Sequence, residues 1–158
     1  MNESISNAMV FMIVIVVISV SAGIVLYSMG YSKTYKIKDK VIDIIELNSG
    51  YRTTANGHSS DNSDAVRDEI EAYLRTVGYT SDIDGLNVND SSNKCPQING
   101  KDAVNELRNY KYCIYEEKTV KGSYYTVKVY MTYNIPLIGD FFKLRYSITG
   151  DSRVIFEY

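Results

Sequence analysis

The sequence has no tryptophan, one histidine (His58), two prolines (Pro96 and Pro136) and two cysteines (Cys95 and Cys113). With one imidazole, a zinc site or a Ser-His-Asp or Cys-His arrangement would rest on His58 alone, and His58 sits in the polar stretch NSGYRTTANGHSSDNSD. No phosphate-cradling glycine loop occurs. Acidic neighbours such as Asp82 and Asp84, or Glu116 and Glu117, read as solvated carboxylates. Net charge is −2 with no basic block beyond the first third, which gives nucleic acid no footprint. These absences predict a chain that is not an enzyme and that takes no cofactor, metal or nucleic acid.

A further absence organises the rest, since no charged residue lies between Glu3 and Lys33. The run Ala8–Tyr27, AMVFMIVIVVISVSAGIVLY, is about 20 residues long and matches a hydrocarbon core of about 30 Å at roughly 1.5 Å per residue. A core helix of a soluble domain would keep a polar stripe, and this run has none. A cleaved signal peptide would need a basic start, and MNESISN has no Lys or Arg. The expectation is a retained single span, with residues 1–30 as tail and transmembrane helix.

The helix is predicted to continue past the membrane. Tyr31–Leu47 holds no Pro and no Gly, and Ile37, Val41, Ile44 and Ile45 recur on one face. That stripe predicts packing of residues 31–47 against a soluble domain. Lys36, Lys40, Asp43 and Glu46 occupy the other side. One helix from about Ser4 to Leu47, roughly 65 Å long, follows, with Gly23 and Gly30 as the points where it could bend. Inside the span, Ser19, Ala22 and Gly23 are small enough to let a second helix approach closely, which makes them the predicted assembly face.

Residues 48–158 are read as one globular α+β domain, long enough for a single core. Asn48–Asp64 reads as a surface linker. Ser63–Tyr79 places Val66, Ile70, Tyr73, Leu74 and Val77 at helical spacing, with Asp64 and Asp68 near the start, Arg75 near the end and Gly78 as a stop. This second helix is predicted to dock on the same sheet as the first. Thr80–Lys101 is an irregular loop; its Asp82, Asp84, Asn87, Asn89 and Asp90 lack the spacing of a calcium loop and read as turn-formers. Asp102–Arg108 reads as a short helix.

From Tyr110 the period changes to two. A hairpin is predicted to turn at Lys121-Gly122, followed by a strand over Phe142–Thr149, a turn at Gly150-Asp151 and a last strand Arg153–Tyr158. The product is a four-stranded antiparallel sheet with one apolar face. Cys95 and Cys113 admit a single intramolecular pairing, and an oxidising compartment would favour it over two free thiols. Closing that loop would stabilise the fold by roughly 3 kcal/mol in the chain-entropy model.

Several short motifs carry a family resemblance: Asn7-Ala8 opening the span, Tyr31-Ser32-Lys33-Thr34-Tyr35-Lys36-Ile37-Lys38 after it, Tyr112-Cys113-Ile114-Tyr115-Glu116, and Ile135-Pro136-Leu137-Ile138-Gly139 leading to Ser147-Ile148-Thr149-Gly150. With its long half-apolar helix ahead of an antiparallel sheet, the chain resembles type IV pilins and pseudopilins, and among them the TadE-like minor pilins of tight-adherence systems. It departs from the prepilin cleavage pattern, having no Gly before Ala8 and its Glu3 outside the apolar run. The resemblance implies a single-pass structural subunit of a bacterial pilus or secretion apparatus. Its partners would be membrane lipid and other pilin-like subunits or pilus assembly proteins, in homo- or hetero-oligomers, with the domain extracytoplasmic or on the cell surface. The alternative is a single-pass accessory or sensor protein whose domain binds another protein.

The two cysteines test the compartment. With the domain outside the cytoplasm, Cys95 and Cys113 in freshly isolated membranes should resist alkylation until a reductant is added; immediate labelling of both would place the domain in the cytoplasm.

Overall fold

Residues 31–47 repeat apolar side chains every three or four positions, and the helix they form needs a partner surface on that side. The computed structural model describes residues 2–77, 95–105, 112–134 and 143–156. Its elements are α1 (Asn2–Leu47), α2 (Ser63–Thr76), β1 (Tyr112–Thr119), β2 (Gly122–Asn134) and β3 (Lys143–Asp151), with one 3-10 turn at Thr54–Asn56. α1 is a single helix of 46 residues, about 69 Å long, and neither Gly23 nor Gly30 interrupts it. Its bare half is long and apolar enough to cross a membrane.

The sheet is antiparallel in the order β1-β2-β3. One face carries Tyr112 and Ile114 of β1 with Tyr125, Val127 and Val129 of β2, and these interlock with Ile37, Val41, Ile44 and Ile45 of α1 and with Val66, Ile70 and Leu74 of α2. Both helices thus pack into one core. α1 ends where Ser49 takes a left-handed φ of 56° and the Ser49 and Gly50 amides donate back to the Glu46 and Ile45 carbonyls. Gly50 itself cannot carry a side chain. Its φ is 103°, and a Cβ would lie 2.6 Å from the Tyr125 hydroxyl.

Several expectations need revision. Among the described residues the sheet has three strands, not four. Gly150 and Asp151 do not turn the chain; they pair with Val127 and Thr126 within β3. Past them, Ser152 accepts the Tyr125 amide on its hydroxyl and donates its own amide to the Tyr125 carbonyl, and Ile155 then bridges Ser123. The stretch 152–155 therefore prolongs β3 along β2 with one extra residue, a bulge, instead of folding back as Arg153–Tyr158. Gly122 makes this possible, because a Cβ there would run into the Ile155 carbonyl. The hairpin turn is Val120-Lys121, one residue earlier than predicted, since Thr119 pairs with Gly122.

Nor is only one face of the sheet covered. Cys113 and Tyr115, on the far side of β1, are buried beneath residues 95–105. A disulfide joins Cys95 to Cys113 with Cα atoms 5.8 Å apart, and the Tyr115 hydroxyl donates to the Pro96 carbonyl at 2.6 Å. Asn105 covers the edge of β1, accepting the Ile114 amide at 2.7 Å and donating to the Tyr112 carbonyl at 2.9 Å. Asp102–Asn105 is irregular rather than helical. Gly78, the acidic positions 82–90, Arg108, Tyr110 and the segment 135–142 lie outside the described residues.

Two substitutions probe this core. Ile44 is 1% exposed, and Ile44→Asp should remove about 3–5 kcal/mol by burying an unpaired charge; an unchanged melting temperature would show that the helix does not pack there. Tyr112 behaves in the opposite sense: burial pushes its phenol well above the ordinary range, and among the described residues its buried hydroxyl has no hydrogen-bond partner. Tyr112→Phe should raise stability by about 1 kcal/mol, read by thermal or denaturant unfolding.

Candidate functional site

The bare half of α1 is the first candidate. From Met9 to Tyr27 its large apolar side chains stand exposed, which water would penalise heavily and hydrocarbon would not. Its polar groups are already satisfied, with the Ser19 and Ser21 hydroxyls donating at 2.8 Å to the carbonyls one turn back, Ile15 and Val17. Ala22 and Gly23 are half-buried, Ser19 is exposed, and nothing lies within 4 Å of where a Gly23 Cβ would stand. This trio is therefore an open surface within the chain.

In the other half of α1, Ile37, Val41, Ile44 and Ile45 are all buried. The structure adds Ile42 to this core, and with it two polar residues that a hydrophobic count misses. Thr34 is fully buried, donating to the Gly30 carbonyl at 2.9 Å and touching Met131 Sδ. Lys38 is buried along its stem, which passes over Gly150, while its ammonium pairs with Asp39 at 2.7 Å and lies 4.0 Å above the Tyr35 ring. Both fall on the stripe by helical position, and only their polarity hides them from a hydrophobic count.

The expected linker is instead a built cap over the far end of the core. Asn62 ties it shut, donating to the Asn48 and Gly50 carbonyls at 2.9 and 3.1 Å and accepting the Arg52 amide at 2.8 Å. Tyr51 is buried beneath it. His58, read from sequence as solvated, has a side chain 5% exposed, with Nε2 2.8 Å from Glu116 Oε1, and Glu116 is equally buried. The Ser123 hydroxyl donates to the same oxygen at 2.9 Å. The hydroxyl and the imidazole thus meet on one carboxylate oxygen. The cluster joins the cap to two strands.

Among the described residues no group of three or more His, Cys, Asp or Glu is arranged to hold a metal ion. At the start of α2, Asp61 accepts both the side chain and the amide of Ser63, which hold its carboxyl below the usual carboxylate range. An open cleft of about 480 Å³ lies between the end of α1 and residues 153–155, crossed by the Glu46–Arg153 pair.

Removing His58 should strand a buried carboxylate: His58→Ala should cost about 3 kcal/mol. The double variant His58→Ala with Glu116→Leu should recover much of that loss, and strict additivity in the double-mutant cycle would show that the two side chains do not interact. No protein-family model, curated protein or solved structure matches the chain.

Proposed function

We propose that this protein is a membrane-anchored, pilin-like structural subunit of the TadE-like minor-pilin kind, which joins a bacterial surface pilus or secretion apparatus through its N-terminal helix. One observation carries the reading: a single unbroken helix is bare and apolar over its first half and buried in an α+β core over its second. A simple tether would need no rigid continuity between anchor and domain. A subunit that must hold its domain at a fixed angle to neighbouring helices does need it.

The disulfide supports an extracytoplasmic domain, because such bonds persist in oxidising compartments. On this reading the three-stranded antiparallel sheet corresponds to the pilin sheet. The span contributes lipid contact on most of its circumference and subunit contact at Ser19, Ala22 and Gly23, where backbones can approach.

Gly23→Leu tests assembly directly. Leucine is at home in the bilayer, so the variant should insert and accumulate normally, yet crosslinked complexes with neighbouring subunits should fall roughly tenfold if close approach contributes about 1.4 kcal/mol. An undiminished yield at matched expression would favour the alternative, an isolated single-pass anchor carrying a binding domain.

A further inference from the structure

We infer that the membrane-proximal end of the domain is a binding surface for anionic phospholipid headgroups, an inference that rests on reading α1 as a membrane span. About 20 residues from Ala8 fill the hydrocarbon core and end at Tyr27. Tyr27 and Tyr31 follow at successive turns with ring centroids 6.4 Å apart, both rings partly exposed, where an amphipathic ring suits the interface. Lys33 lies about 9 Å along the axis beyond Tyr27, within the headgroup layer, and Lys36 one turn further. Both lysines are exposed. Among the described residues neither is in an ion pair, whereas the next lysine in the run, Lys38, is committed to Asp39.

The sheet brings further basic positions to the same end. β2 runs back along α1, from Tyr125 beside Gly50 to Met131 beside Thr34, so its terminus points toward the bare half of the helix. There the last register pairs are Thr132 with Arg145 and Asn134 with Lys143. The backbone positions of Arg145 and Lys143 thus lie at the end of the sheet nearest the bare half of α1. Lys33 and Lys36, exposed at headgroup depth, attract anionic lipid by about fivefold each.

The test uses the full chain in vesicles. Since the sequence has no tryptophan, Tyr31→Trp provides a single indole at the expected interface. Quenching is compared for phosphatidylglycerol and phosphatidylcholine, each spin-labelled near the headgroup, at equal mole fraction and low salt. The expected result is a relative association constant of about five or more for the anionic lipid, falling toward one in Lys33→Gln with Lys36→Gln and at high salt. Equal quenching by the two lipids, or a preference that survives the double substitution, would overturn the inference while leaving the span intact. A preference that varies with protein density instead of lipid charge would assign the lysines to a second copy of the chain, and also overturn it. If neither lipid quenches and an alkaline wash releases the protein, the span reading itself fails.

Discussion

The contact between one face of α1 and the apolar face of β2 is the constraint on which the other features depend. Ile37, Val41, Ile44 and Ile45 seat against a layer that includes Tyr125, Val127 and Val129. Burying an apolar side chain of this size contributes about 1.5–3 kcal/mol, so the four together offset part of the cost of ordering the helical segment that carries them. It also fixes the rotation of the helix. Because α1 is continuous, the face that meets the sheet is carried into the apolar half by the helical period, through Gly30 and Gly23 to Ser19. Gly30 is buried, its carbonyl accepts the Thr34 hydroxyl, and the helix runs through it unbroken. A helix that docks on Gly23 would therefore approach from the side on which the domain sits.

At the opposite end the core is closed by polar chemistry. Residues 48–62 hold few apolar side chains, yet they bury Tyr51 and bring His58 onto Glu116. A buried His–Glu contact is a poor source of net stability, since desolvation of both groups opposes their attraction. Its stronger effect is positional. Glu116 receives one partner from the cap and one from β2, and Asn62 fixes the two ends of the cap, so a shifted register would leave several buried polar groups unmatched.

How much of this was legible in the sequence depended on whether the determinant was periodic. The length of α1, the apolar stripe, the second helix and the alternation along β2 all follow from local spacing. The Cys pair admitted one internal partner choice, and the structure contains that bond. What spacing could not supply were contacts between distant polar residues: His58 with Glu116, Asn62 with Asn48, Asn105 with Tyr112. Gly150 was misread for a related reason. Glycine marks either a turn or a close approach, and here the approaching group is the stem of Lys38, from a helix more than a hundred positions away. Ser19, Ala22 and Gly23 were recognisable as small residues, and among the described residues nothing stands within 4 Å of where a Gly23 Cβ would be.

Rigid continuity of α1 gives these separate features a common consequence. Rotating the helix by one residue, about 100°, would withdraw Ile37 and Val41 from the sheet and turn Gly23 away from the side of the domain by the same angle. The core opposes that rotation with the whole burial energy of the stripe, whereas the lipid, which meets apolar side chains around most of the span, is nearly indifferent to it. In a bilayer, the rotation of the apolar half would thus be set from the domain. On the proposed headgroup contact, Lys33 and Lys36 would add a constraint in the remaining direction, along the helix axis, which the apolar stripe does not set.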